Sequence, residues 1–286
     1  MEFITVWRID MAVLGGGQPS RAWRKWVFVL KMFLQDALAY RASAVIWILT
    51  DVVTAVTMPL VWLASYNGRA SIHGFDPSQM VTYYLVLLAI TSLIESHVMW
   101  DMANDVKQGK FNIYLVRPFS YMAYIYASNL GWRTMRTLLA VPLFVTIALA
   151  FHKYLLPPDR FHAGLEFWLA VVLGHFVSFT ISYMLGLLSL WLYEARSLFN
   201  FYYLPLLIFS GQIAPLALLP GGLQDFVRWT PWPYTLAFPT GIFLGHIRGA
   251  DIWTGYVCQI VWIGLACLVS RFLFRGGVKR FTAFGI

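Results

Sequence analysis

Charge is scarce in this chain. Asp, Glu, Lys and Arg make up only 12% of its 286 residues, where a soluble domain carries roughly a quarter. With 59% hydrophobic residues, clumped into long runs, a single water-soluble core is excluded and a membrane domain of several spans is implied. Cysteine is scarcer still. Cys258 and Cys267 sit nine residues apart in the last apolar run, on nearly opposite faces of a helix. That spacing excludes a disulfide within the chain and a cysteine metal site, so both read as packing residues. The six histidines show no metal-ligand spacing. No phosphate-binding GxxxxGK[ST] loop is present, since Gly15, Gly16 and Gly17 lead into Gln18 and Pro19. HExxH and GxSxG are missing too. The chain is therefore expected to bind no metal and to catalyse nothing by itself. Residues 1–18 lack the basic start, apolar centre and small-residue cleavage site of a signal peptide.

What the sequence has is six long apolar runs, at residues 42–66, 79–100, 123–151, 165–193, 198–219 and 252–274. The expected fold is an all-α integral membrane protein with six transmembrane helices. Before the first run, residues 21–40 place Val27, Leu30, Leu34 and Ala37 on one helical face, and Arg24, Lys31 and Gln35 on another. This is the pattern of a helix lying in the membrane interface. Asp76-Pro77 reads as a helix start, a capping carboxylate followed by proline in the first turn. Residues 101–118 change sharply in composition, to charge and asparagine, and read as a water-exposed loop, partly helical to Gly109. Residues 220–249 are apolar and aromatic, yet broken by glycines and prolines that include Gly221, Gly222, Pro231, Pro233 and Pro239. A straight span does not tolerate so many breakers; two short half-helices that dip into the bilayer and return would fit. The expected organisation is thus a terminal segment (1–20), one membrane domain (21–280) and a short tail (281–286).

Six spans put both termini on one side. Sixteen of the 21 lysines and arginines fall on that side or at span ends near it, and five on the other (Arg69, Lys153, Arg160, Arg228 and Arg248). The positive-inside rule then places both termini in the cytoplasm. It accounts for the net charge of +8 without a nucleic-acid partner, for which no basic, aromatic-interleaved stretch is present. No internal repeat is visible, which argues against an inverted-repeat carrier.

The layout resembles the permease subunits of bacterial ATP-binding-cassette (ABC) transporters of the type-2 exporter class. The three features that carry the resemblance are the interfacial helix at 24–40, a short coupling helix between spans two and three at 101–109, and a re-entrant hairpin between spans five and six at 220–249. The stretch from Gly109 to Ser120 is similar to the "G…L.RP.S" signature of one bacterial branch, with Gly109, Leu115, Arg117, Pro118 and Ser120 as the matching residues. The resemblance implies an inner-membrane exporter subunit that forms a substrate pathway with a second permease, identical or homologous. It implies two copies of a separate ATPase that bind the ATP and magnesium. It also implies that Asp101, Asn104, Asp105, Lys107, Gln108, Gly109 and Lys110 dock on that ATPase.

Several polar residues fall within spans, where each charge costs about 2.5–3.5 kcal/mol on insertion scales. Asp51 is mid-span and is expected to pair with Arg133 or Arg136. Glu95 and His97 are expected near the end of span two, positioning the loop. Gln212 and Gln259 are weaker candidates for lining a pathway. The alternative function is an ion- or proton-coupled secondary transporter using Asp51 and Glu95, which would need no ATPase. An intramembrane enzyme is disfavoured, because Glu95 and His97 would lie on different faces of one helix.

Overall fold

A computed structural model describes residues 19–39, 41–116, 120–192 and 194–281. Arg117 and Pro118 of the signature, with most of the N-terminal and C-terminal segments, lie outside these. Among the described residues the chain is helical and forms no named strand. In chain order the helices are α1 (Pro19–Ala39), α2 (Arg41–Tyr66), α3 (Pro77–Ile94), α4 (Val98–Lys107), α5 (Phe111–Leu115), α6 (Tyr121–Ala150), α7 (Leu165–Gly186), α8 (Ala195–Phe209), α9 (Gly221–Arg228), α10 (Ala237–Phe243) and α11 (Ala250–Arg280).

Five segments among the described residues are long and apolar enough to cross a membrane: Val45–Tyr66, Pro77–Lys107, Tyr121–Ala150, Leu165–Leu190 and Ala250–Arg280. They are not equivalent. The most apolar windows of the second and fourth are 83% and 67% buried, against 17%, 22% and 17% for the first, third and fifth. The α3–α4 and α7 segments are therefore central. The α2, α6 and α11 segments are peripheral and present side chains such as Ile46, Val53, Leu138, Leu149, Trp253 and Phe272 outward. Outward apolar side chains on a spanning helix face lipid, which is as apolar as they are.

One of the expected elements differs in extent. The run at 198–219 yields only the 15-residue α8, because the chain turns at Gly211. That residue takes φ 88°, a left-handed conformation that glycine adopts without steric cost. The turn is pinned by Tyr83, whose hydroxyl donates to the Gly211 carbonyl at 2.7 Å, and by Tyr84, which donates to Ile213 at 2.7 Å. Residues 220–249 fold as two short helices, α9 and α10, joined through a 3-10 turn at Trp232–Tyr234.

The Asp76-Pro77 start is present as a full capping box. The Asp76 carboxylate accepts from the Gln79 amide at 2.7 Å, and Gln79 accepts from the Asp76 amide at 3.0 Å. Beyond it, two apolar clusters fill the bundle. One joins Met80, Tyr84, Leu87 and Ile90 of α3 to Phe167 and Val171 of α7, Phe238 of α10 and Tyr256 of α11. The other joins Val98, Met102 and Val106 of α4 to Met122 and Ile125 of α6, and to Phe179 and Tyr183 of α7. A polar layer of Ser92, Glu95, Ser96, Asn129 and Arg133 is buried between them.

Helix α1 packs along α6 at Gly131, where an added Cβ would come within 2.7 Å of the Phe33 Cβ and 3.1 Å of its backbone carbon. Gly131→Val is expected to force the helices apart and cost about 1–3 kcal/mol, read as a lower unfolding midpoint of the detergent-solubilised protein. An unchanged midpoint would mean that α1 rides on α6 without close packing.

Candidate functional site

Span two, expected to run unbroken to Trp100, breaks at Glu95, Ser96 and His97 and resumes as α4, so the helical part expected at 101–109 continues the span. A break leaves backbone groups without intrahelical partners, and inside a bilayer such groups must find partners in the protein. Here they do. Arg133 of α6 donates to the Ser92 carbonyl at 3.1 Å. Ser178 and Ser182, one turn apart on α7, accept from the Ser96 amide at 2.8 Å and the Met99 amide at 3.2 Å. Ser96 itself donates to Asn129 of α6 at 3.2 Å.

The break also revises the geometry of Glu95 and His97. They were expected on different faces of one helix; with the helix interrupted, their side chains lie 3.9 Å apart. Gln212, from the turn after α8, donates to the Glu95 carboxylate, so the break is tied to the far end of α8. Asp51 pairs with Arg136, not Arg133; Arg133 is spent on the Ser92 carbonyl. Gln259 is fully buried and donates to the Ala170 and Tyr234 carbonyls at 2.9 and 2.8 Å. It ties α11 to α7 and to the turn before α10, away from either cavity described next.

Two cavities flank the break. On the α4 side a vestibule of about 980 Å³ lies among α1, α2, α4, α6 and α8. Asp101, Asn104, Asp105 and Gln108, spaced along one face of α4, line it together with Lys110. The opposite, apolar face of α4 (Met102, Val106) is buried in the core. On the α3 side a small pocket of about 50 Å³ is lined by Asp51, Thr54, Tyr84, Thr91 and Gln212. Near the break, the His97 ring lies between Trp47 of α2, stacked at 6.4 Å between centroids, and Tyr203 of α8, at 6.2 Å. These three rings form a clamp beside the vestibule, which all three line.

The tip beyond α4 is separately built. Gly109 takes φ 71° and turns the chain into α5, which exposes Ile113 and Leu115, with Val116 after it. Lys107 faces away from the vestibule towards Glu194, 4.0 Å distant. Tyr114 lies against Tyr124, with hydroxyls 3.5 Å apart. Burial first, then the contacts with Tyr124 and Asp105, hold its phenol above the ordinary value, so it stays protonated. Ser120 precedes α6 without a side-chain capping bond.

Ser178, Ser182, Asn129, Trp47 and Tyr203 were not singled out in the sequence. The two serines carried a usable signal, being hydroxyls at i and i+4 on one face of a largely apolar span. The aromatic pair did not, since Trp and Tyr also furnish interfacial belts.

A comparison with curated proteins finds no match. A family model described as "ABC-2 family transporter protein" matches residues 52–285, which takes in the broken span, the vestibule helices α4, α6 and α8, and the short helices after the Gly211 turn. The chain belongs to the ABC-2 transporter family, as the membrane-embedded permease subunit of an ABC transporter.

Proposed function

We propose that this permease is an exporter subunit that opens and closes a path along its own α2–α8 groove, driven by a separate ATPase at the tip between α4 and α6. The observation that carries the proposal is the broken span. The α4 half connects the tip to the break, and Glu95 at the break holds Gln212 beyond α8. A push on the tip tilts α4, loosens the Trp47–His97–Tyr203 clamp and shifts the Gln212 turn, a rigid-body gating movement. In this reading the vestibule opens to the cytoplasm, because Lys107, Lys110, Arg196, Lys279 and Arg280 cluster at that end of the helices. Both termini then lie inside, α8 completes a sixth span with the turn after it, and α9 and α10 form the outer re-entrant hairpin. A second permease supplies the facing half of the path, and two ATPase subunits bind the nucleotide.

Within this scheme Asp51 and Glu95 hold the bundle together, each through a partner side chain, rather than carrying protons. The candidate docking residues divide. Gly109 and Lys110, with the exposed Ile113 and Leu115, meet the ATPase, whereas Asp101, Asn104, Asp105 and Gln108 face the vestibule.

A mild-detergent pull-down with mass spectrometry tests the partner. An ABC ATPase should co-purify, and Gly109→Pro should release it, because proline cannot take the left-handed conformation found there. ATP-driven export should then fall at least about tenfold with membrane insertion intact. Recovery of the chain alone, or normal export by Gly109→Pro, would overturn the assignment of the tip.

A further inference from the structure

We propose that the vestibule is a loading site for organic cations with an aromatic or apolar body, and that such molecules are the substrate class of this permease. This rests on the exporter reading above and adds the chemistry of the cargo. Three carboxylates, Asp36 of α1 with Asp101 and Asp105 of α4, line the space, against Lys110 and Arg136. Arg136 is already matched by Asp51, so among the described residues three carboxylates stand against Lys110, an excess of two. Counting Arg196 at the rim, where it donates to Asn104 at 2.6 Å, still leaves one.

The walls between these charges are aromatic. Trp47, Trp100, Trp132 and Tyr203 come from four different helices, and part of their surface is accessible. Ring faces and carboxylates together attract a desolvated cation, by the quadrupole of the first and the charge of the second. Deeper in, Asn129 and Arg136 are each only 6% exposed. Both residues line the vestibule, but their Nδ2 and Nε atoms, unpartnered among the described residues, are themselves enclosed, so the ring faces and the carboxylates are what a ligand meets. An anion meets the carboxylates unfavourably. A neutral glycan leaves the carboxylates uncompensated. The volume of about 980 Å³ suits a drug-sized molecule.

The test is direct binding to the purified full-length permease in dodecyl maltoside, without an ATPase, followed by fluorescence anisotropy. The probes are rhodamine 6G, a cation with an aromatic body and an ester carbonyl, and fluorescein, an anion of similar size. Rhodamine 6G should bind at least about tenfold more tightly than fluorescein. Asp101→Asn with Asp105→Asn should weaken rhodamine 6G at least about tenfold, and Asp105→Glu should restore most of the loss when Asp101 is intact. If the double variant does not fold, Trp100→Leu carries the same expectation for the cation. Equal binding of the two probes, or rhodamine binding unmoved by these variants, would overturn the proposal. So would displacement of rhodamine 6G by short-chain phosphatidylcholine at lower concentration than by tetraphenylphosphonium, which would reassign the vestibule to a zwitterionic lipid headgroup. Because no ATPase is present, failure here leaves the exporter reading standing. Failure of the pull-down leaves this binding result interpretable.

Discussion

Arg136→Met is expected to be the most damaging single change in the bundle. Arg136 is buried and paired with Asp51 across the α2–α6 contact. Removing one member of a buried pair leaves the other charge uncompensated, at a cost of about 3–5 kcal/mol. Asp51 keeps some exposure, but it lines a small pocket in mid-span and not bulk water, so solvent relieves little of this. Arg133 lies one turn away and has two nitrogens without partners among the described residues; it can swing towards Asp51 and soften the loss. The readout is the unfolding midpoint and monodispersity in detergent. Arg136→Met should lower both, Arg133→Met combined with Arg136→Met should lower them further, and Asp51→Leu with Arg136→Met should recover most of the deficit. A single variant within about 0.5 kcal/mol of the parent, the usual scatter for neutral substitutions, would show that the pair contributes nothing.

The largest effect on transport is expected from fixing the aromatic clamp. His97 is sandwiched between Trp47 on α2 and Tyr203 on α8, and the proposed path requires these helices to part. With Cys258 and Cys267 changed to alanine, Trp47→Cys and Tyr203→Cys can be joined by a bifunctional maleimide long enough to span the missing rings. ATP-driven transport in vesicles should drop at least about tenfold on cross-linking, as expected when a gate is held shut. The same variant left unlinked supplies the reference rate for that drop, and linked protein should still capture the ATPase. Undiminished transport in the linked protein would place the path elsewhere.

Much of the architecture was legible because it depends on local, strongly signalled physics. Five long apolar runs became spanning helices, Asp76 and Pro77 capped α3 as their residue types dictate, and mid-span Asp51 found an arginine because an unpaired charge at that depth is too costly. The break at Glu95 to His97 was not legible. Nothing in Ser92, Glu95, Ser96 and His97 forbids a continuous helix; what makes the interruption tolerable is the set of partners on α6 and α7, which only the fold brings near. The charge pattern of Asp101 and Asp105 suits either a partner or a cavity, and only the apolar packing of the opposite face of α4 turns it towards the vestibule. The length of α8 was overestimated because Gly211 is one glycine in an apolar run, and its left-handed turn is held by two tyrosines 128 and 129 residues away in sequence.

The serines that satisfy the broken span have a consequence for biosynthesis. Ser178 and Ser182 lie 82 and 83 residues downstream of the amides they serve. At a synthesis rate of roughly 5–20 residues per second, they arrive about 4–16 s after the break itself has been made. During that interval α3 and α4 have exposed polar groups that lipid cannot accommodate. The nascent chain must therefore remain beside the insertion machinery, or keep span two continuous and helical, until α7 is in place. A protein of this design acquires the joint in its second span only after its fourth span has been made.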